Sequence, residues 1–160
     1  MRWFTSDLHL GHRLTTKDRG FNTIKEHDEA VIASFCDLPR KGKLWILGDI
    51  GFRIESMELL RAIPCRNIVM VFGNHDTFDL GVYNKYFADI RGVQKYNKMW
   101  LSHIPVHPQE LYRVVGNIHG HIHKCAATKP LEDKRYFNVN WDFHLGPVPF
   151  ETIEEQFNGC

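Results

Sequence analysis

The sequence has few cysteines, no excess of charge of either sign and no long apolar run. Twenty Lys and Arg residues stand against nineteen Asp and Glu residues, which leaves a formal net charge of +1. This balance argues against an extended nucleic-acid track and against a surface for anionic membranes. The four cysteines are scattered without a CxxC pair, so neither a disulfide framework nor a zinc ribbon is predicted. Because no membrane-length run or signal-peptide core is seen, we expect a cytoplasmic protein without a membrane partner.

Histidine is the residue present in excess. Ten of the 160 residues are histidine, and they cluster in short motifs. Hydrophobic residues make up 43% and charged residues 24%, values typical of a soluble globular chain. No low-complexity stretch or linker divides the sequence, so we expect one domain over residues 1–160.

Apolar runs of strand length alternate with amphipathic stretches of helix length. Strands are predicted at residues 2–6, 44–47, 67–72, 99–102, 114–119 and 136–141. Helices are predicted at residues 24–36, 55–63, 77–87 and 151–157. This βαβαβ order, followed by further strands, indicates an α/β fold whose sheet continues into a second layer.

Polar motifs follow several of these predicted strands. The motifs are Asp7-Leu8-His9, Gly48-Asp49, Gly73-Asn74-His75-Asp76, Ser102-His103 and Gly120-His121-Ile122-His123. In helix-covered sheets, functional sites collect in the loops after the carboxyl ends of strands. Residues two apart point to one side of an extended chain, so Asp7 with His9, and His121 with His123, are each spaced to grip one ion.

The side chains in these motifs are carboxylates, an amide and imidazoles, with no thiolate. Such a donor set favours Mn²⁺, Fe or Zn²⁺ over a structural zinc site. Asp49 has two carboxylate oxygens and is able to bridge two ions roughly 4 Å apart, a template for attack on phosphorus. His75 is placed to protonate a leaving group, with Asp76 holding its imidazole.

The five motifs, in this order, resemble those of the calcineurin-like metallophosphoesterases over residues 5–123. The resemblance implies a four-layer αββα sandwich around two divalent metal ions, most simply Mn, with Fe, Zn or Ni as alternatives. It implies that one ion is held by Asp7, His9, Asp49 and His123, and the other by Asp49, Asn74, His103 and His121. It also implies that His75 contacts the scissile phosphate and protonates the leaving oxygen.

The sequence departs from the family pattern at one motif. Many members carry GDxxD, whereas Phe52 occupies the last position here. The missing carboxylate is not a core metal ligand, so we expect the site to survive. No insertion between Asp76 and Ser102 is long enough for a cap domain, so we expect an open site.

Other histidines call for separate interpretations. His27 has charged neighbours and is expected to be exposed to solvent. His12, just past the first motif, is a candidate for the lining of a substrate pocket. His119 is expected to support the ligands by hydrogen bonding rather than to bind metal.

Two further groups of polar residues are open to more than one reading. Arg13, Lys17 and Arg19 are expected to lie in a solvated loop rather than on a phosphate-facing rim. Asn138 and Asn140 alternate along a predicted strand, where asparagine is disfavoured. They fit either a polar role near the site or capping and sheet-edge hydrogen bonds.

The resulting hypothesis is a binuclear metal-dependent phosphohydrolase acting on a phosphate-ester small molecule or nucleotide. Small phosphodiesters are favoured: cyclic nucleotides, 2′,3′-cyclic phosphates or nucleic acid ends. The alternatives are a phosphomonoesterase and a non-catalytic binding scaffold of the same fold. The scaffold reading requires missing ligands, and all seven ligand positions and His75 are present.

Overall fold

The computed structural model describes residues 1–125 and 129–158, and this part of the chain contains two β-sheets. The nine strands are β1 (Arg2–Thr5), β2 (Lys43–Ile46), β3 (Asn67–Val71), β4 (Asp89–Arg91), β5 (Gln94–Tyr96), β6 (Met99–Leu101), β7 (Gly116–His119), β8 (Tyr136–Asn138) and β9 (Val148–Pro149). The first sheet has the order β4-β3-β2-β1-β9 and the second β5-β6-β7-β8. Only the pairings of β9 and β5 are antiparallel within these sheets.

In the described ranges, six α-helices and two 3₁₀ helices connect or follow the strands. They are α1 (Arg13–Asp18), α2 (Ile24–Ala33), α3 (Ile54–Met57), α4 (Leu80–Tyr83), α5 (Trp141–His144) and α6 (Phe150–Asn158), with 3₁₀ helices at Glu58–Ala62 and Pro108–Arg113. Helix α2 begins at a capping box, in which Thr23 and Glu26 each accept from the other's backbone N–H. Among the described residues, no helix combines the length and apolar character needed to cross a membrane.

Alternation of side chains along the central strands builds two hydrophobic cores. In β2, Leu44 and Ile46 pack with the helices on one face, and Trp45, with Leu47 just beyond the strand, packs toward the second sheet on the other. On the far face of the second sheet, the Trp100 indole donates to the Glu110 carbonyl of the second 3₁₀ helix at 3.0 Å. Two facing sheets flanked by helices confirm the predicted α/β sandwich.

Several predicted boundaries differ from the structure. The helix predicted at 77–87 contains only the single turn of α4. The strand predicted at 136–141 ends at Asn138, because the Asn140 side chain accepts from the Asp142 N–H at 2.9 Å and caps α5. The loop expected after the first motif contains α1. Strands β4, β5 and β9 were not predicted, since two or three residues rich in charge or proline form no apolar run.

Candidate metal centre

Parallel pairing of β1, β2 and β3 brings the carboxyl ends of three strands to one edge of the first sheet. Asp7 and His9 follow β1, Asp49 follows β2, and Asn74 follows β3. The loops remain paired: the Asp7 N–H donates to the Gly48 carbonyl at 2.9 Å, and the His9 N–H to the Asp49 carbonyl at 3.0 Å. These bonds fix the carboxylates and the imidazole of the first two motifs relative to one another.

The second sheet supplies three histidines to the same place. His103 follows β6, and His121 and His123 follow the neighbouring parallel strand β7. The Gly120 N–H donates to the His103 carbonyl at 2.9 Å. The His121 N–H donates to Asp7 Oδ2 at 2.9 Å and so joins the loops of the two sheets. All seven residues that the motifs single out as ligands therefore come from loops that meet where the sheets face each other.

Four of these residues adopt the left-handed backbone conformation, which is unfavourable for residues with a Cβ atom. The φ angles are +57° at Asp7, +50° at His9, +55° at Asp49 and +67° at His121. Left-handed non-glycine residues cost about 1–3 kcal/mol each and persist where surrounding structure enforces them, most often at functional sites. The strain is thus concentrated on the residues that aim donor atoms inward.

The first donor group consists of Asp7, His9 and His123. The Nε2 atoms of the two histidines lie 3.1 Å apart, and each lies within 3.7 Å of Asp7 Oδ1. Asp7 Oδ1 is buried and has no hydrogen-bond partner in the described part of the chain. Burial opposes ionisation, but contact with His9 and the charge of His103 hold the Asp7 pKa below its usual value. A buried anionic oxygen facing two imidazole nitrogens fits a divalent cation.

The second donor group consists of Asp49, His103 and His121, with Asn74 beside it. His103 Nδ1 donates to the Leu47 carbonyl at 2.7 Å, so its Nε2 is the atom that faces the other donors. That Nε2 lies 3.0 Å from Asn74 Oδ1 and 3.2 Å from His121 Nδ1. Burial lowers the His103 pKa, but contact with Asp49 and the nearby carboxylates raise it to about 8. This group also fits a divalent ion.

Asp49 stands between the two groups. Its Oδ2 lies 3.7 Å from His9 Nε2 and 3.3 Å from His103 Nε2. Its Oδ1 accepts from the His75 backbone N–H at 2.9 Å. Despite burial, which opposes ionisation, contact with His103 lowers the Asp49 pKa to about 2. The distances from Asp49 to a histidine of each donor group therefore run to the same oxygen, Oδ2.

Comparison with known proteins places this arrangement in a family. The profile of the calcineurin-like phosphoesterases matches residues 2–157. The chain belongs to the calcineurin-like phosphoesterase family. Membership of this family supports the interpretation of the two donor groups as candidate metal sites.

Three individual proteins are similar to this family member. The gene 66 protein of Mycobacterium phage D29 is 27% identical over an alignment of 192 positions that spans 98% of this chain and 95% of that protein. The gene 66 protein of Mycobacterium phage L5 is 33% identical over 81 residues, 46% of this chain and 39% of that protein. A protein of unknown function from Aquifex aeolicus shares the fold, with 23% identity, a TM-score of 0.79 and coverage of 97% of this chain and 98% of that one.

The motif after β3, which contains His75 and Asp76, has a different internal arrangement from the one expected from the sequence. The His75 ring is exposed, with its centroid 6.0 Å from that of His9. Asp76 does not hold this imidazole, so that expectation is wrong. Its carboxylate instead accepts from the backbone N–H groups of Gly73, Asp49 and Ile50 at 2.7–2.9 Å. Asp76 therefore clamps the loops after β2 and β3 together.

A cleft of about 670 Å³ lies beside the first donor group and is lined by His9, His12, His75 and His123, among others. His12 caps α1, its Nδ1 lying 2.6 Å from Thr15 Oγ1. The His12 ring stacks on Phe52 with centroids 4.0 Å apart. Phe52, at the last position of the motif at residues 48–52, thus provides a flat apolar support for a cleft histidine.

Two residues that support the site were missed at the sequence level. Asp142 Oδ2 accepts from His123 Nδ1 at 2.8 Å, which leaves His123 Nε2 toward the first donor group. Arg19 binds the other Asp142 oxygen at 2.6 Å, and its side chain is only 6% exposed. The expectation of a solvated loop is therefore wrong for Arg19. In the sequence, Asn138, Asn140 and Asp142 alternate from the end of a strand onward. This spacing is the signal that points to a role for Asp142 near the site.

His27 is fully buried, so the prediction that it is exposed is wrong. Its Nδ1 lies 2.8 Å from Asp28 Oδ1, and its Nε2 lies 2.8 Å from an Arg19 nitrogen. The Asp28 carboxylate in turn accepts from the Gly11 N–H at 3.0 Å. The charged neighbours in sequence did not indicate exposure, because one of them, Asp28, is itself buried and contacts the His27 ring, and only Glu26 is exposed.

The polar candidates His119 and Asn138 support the loop that contains His121 and His123. His119 Nδ1 donates to the Gly120 carbonyl at 2.8 Å, and burial lowers the His119 pKa to about 4. Asn138 Nδ2 donates to the Ile122 carbonyl at 2.8 Å. Both side chains therefore contact backbone next to candidate ligands.

Proposed function

We propose that this chain is a binuclear metal-dependent phosphodiesterase that hydrolyses small phosphodiesters. The observation that carries the proposal is the position of Asp49 Oδ2, within 3.7 Å of imidazole nitrogens from both donor groups. A carboxylate shared between two cation sites is the arrangement that two-metal phosphoester hydrolysis needs. Family membership supports the same class of chemistry.

The donor types support hard or borderline divalent ions, with Mn²⁺ favoured and Fe, Zn or Ni as alternatives. Asp7, His9, Asp49 and His123 would hold one ion. Asp49, Asn74, His103 and His121 would hold the other. When bound, such a pair lowers the pKa of water and neutralises charge on phosphate oxygens.

His75 is the proposed general acid. Its backbone N–H is anchored to Asp49 Oδ1, which sets the side chain at the cleft beside the donor groups. There its imidazole would donate a proton to the leaving oxygen of the ester. Its exposed position supports contact with a bound substrate rather than a packing role.

The charge of the cleft favours a diester over a monoester. Arg19 and Lys124 are the Lys and Arg side chains among the described residues lining it, and Arg19 is already paired with Asp142. A diester carries less negative charge than a monoester and needs fewer cations beyond the metals. Cyclic nucleotides, 2′,3′-cyclic phosphates and nucleic acid ends are the candidate substrates, and a phosphomonoesterase is the second candidate function.

A paired rate assay tests the proposal. Metal-stripped protein is supplied with Mn²⁺, Fe²⁺ or Zn²⁺ and given bis(4-nitrophenyl) phosphate or 4-nitrophenyl phosphate. Faster cleavage of the diester is expected. Faster cleavage of the monoester would make the protein a phosphatase. No cleavage with any of the three ions would favour the binding scaffold.

A further inference from the structure

The cleft beside the first donor group is larger than a phosphate alone requires. Its volume of about 670 Å³ lies within the range of pockets that enclose whole small-molecule ligands. His9, His75 and His123 line it where it meets the donor groups. A phosphate held there leaves the rest of the cleft to whatever the ester carries.

Apolar side chains line that remaining space. Phe21 and Trp141 belong to the lining and also to the packing of the helix-side core, so they form a fixed surface. The Arg19 guanidinium stacks on Trp141 at 4.9 Å and holds its ring in place from another direction. A rigid apolar surface next to a polar end is the usual layout of a small-molecule pocket.

Two leucines of the lining are exposed instead of packed. Leu14 on α1 and Leu145 after α5 are each 64% exposed. Single exposed leucines are ordinary, but these two line one cleft together. Leu145 is also held at φ +54°, a conformation that disfavours a Cβ and that glycine or asparagine adopts readily. Leu145 takes this conformation as the C-cap of α5, where its N–H donates to the Trp141 carbonyl at 2.8 Å. The observation that points to an apolar ligand is therefore the shared place of the two exposed leucine side chains in the lining of one cleft.

We infer that the cleft binds an apolar ring-sized substituent of the phosphate ester, covered by Leu14 and Leu145, and that it selects aryl or nucleobase-bearing esters over small alkyl esters. The inference rests on the proposed function, because the phosphate must sit at the donor groups. The donor groups would bind the phosphate, and this part of the cleft contributes the affinity that all esters share. The apolar end contributes the selectivity, which amounts to roughly 10- to 200-fold per added apolar group in pockets of this kind.

Calorimetric titration of Mn²⁺-loaded protein with phenylphosphonate and with methylphosphonate tests the inference without turnover. Phenylphosphonate is expected to bind at least about tenfold more tightly than methylphosphonate. Leu14→Gln keeps a good helix former on α1, and Leu145→Asn relieves the strained backbone, so both variants should fold. Each should reduce the phenyl preference severalfold and leave methylphosphonate affinity unchanged. Leu80→Gln, at a leucine 57% exposed outside the cleft, is the matched control and should behave as wild type.

The outcomes separate the two proposals. Equal affinities for the two phosphonates, or a phenyl preference that persists in both Leu14→Gln and Leu145→Asn, would overturn the cleft inference and leave the proposed function intact. Failure of both phosphonates to bind metal-loaded protein would overturn the cleft inference alone, because a phosphonate carries the charge of a monoester. The proposed function is overturned separately, by a rate assay in which the diester is not cleaved faster than the monoester.

Discussion

The guanidinium of Arg19 and the carboxylate of Asp142 form a buried ion pair at 2.6 Å, although the residues are 123 positions apart in the chain. Arg19 also donates to the backbone carbonyl of Asp7 at 2.7 Å, and Asp142 accepts from the His123 ring. One ion pair therefore couples the backbone of one candidate ligand to the imidazole of another. Both ligands belong to the first donor group.

Arg19→Met should weaken metal binding and destabilise the fold. Removal of one partner of a buried pair costs about 3–5 kcal/mol, because the other charge stays buried and unpaired. Loss of support behind a metal-bound histidine lowers metal affinity about 10- to 100-fold. Urea unfolding and Mn²⁺ titration measure the two effects. Arg91→Met, which breaks an exposed pair with Asp89, should change stability by less than about 1 kcal/mol and leave metal affinity alone.

Asp49→Asn should impair both metal sites together. The amide loses the negative charge that faces both donor groups, so Mn²⁺ bound per chain should fall from two to below one. Activity on the diester should fall more than about 100-fold, beyond the effect of losing an outer contact. Metal analysis after gel filtration and the rate assay check this, with the exposed Asp37→Asn as control. Full activity with unchanged metal content would contradict the shared role of Asp49.

The variant Asp76→Asn tests whether Asp76 joins the loops after β2 and β3 or orients the His75 ring. The carboxylate accepts from three backbone N–H groups, whereas an amide has one acceptor oxygen and leaves at least one donor unpaired. An unpaired buried group costs about 1–3 kcal/mol, so the unfolding midpoint should fall. A lower kcat with unchanged stability would instead support direct action on His75.

Gly120→Ala should disturb the metal centre through sterics alone. A Cβ at Gly120 would collide with Ser6 Oγ and Asp7 Oδ2 and displace the Asp7 carboxylate. Mn²⁺ affinity should fall more than tenfold, read by titration. Gly81→Ala is the control because a Cβ there meets nothing within 4 Å, and on helix α4 it should be neutral or slightly stabilising. Equal metal affinity in both variants would show that the Asp7 loop shifts freely.

The raised pKa of Tyr83 predicts that the protein loses stability at alkaline pH. Burial and the charge of Asp76 raise the Tyr83 pKa to about 12, against 10.0 for an unperturbed tyrosine. The unfolded state therefore ionises first, so this contribution is intact below pH 10 and is lost as pH rises toward 12. The free energy of unfolding, measured from pH 8 to 11.5, should fall more steeply with pH for wild type than for Tyr83→Phe. Tyr112→Phe, at a ring 74% exposed, should follow wild type.

The sequence predicted the centre of the site better than its surroundings. The strands before Asp7, Asp49 and Asn74 were apolar runs, and the ligands stood directly after them, so local spacing was enough to place them at one sheet edge. The burial of His27 and Arg19 was not predictable in this way. Each has polar neighbours in sequence, but Arg19 is buried against the distant Asp142, and His27 is buried between Asp28 and Arg19.

The sequence by itself determined the α/β fold class, the donor types and their order along the chain, because apolar alternation and motif spacing are local properties. The expectation of a sandwich came from the resemblance of the motifs to a known family. Only the tertiary structure decided which oxygen of Asp49 faces both donor groups, that Asp76 clamps backbone, and that Arg19 and Asp142 support His123. These contacts join loops far apart in sequence, and their geometry depends on how two sheets pack. Hydrogen bonds and ion pairs of this kind require positions within a few tenths of an ångström, which no local pattern specifies.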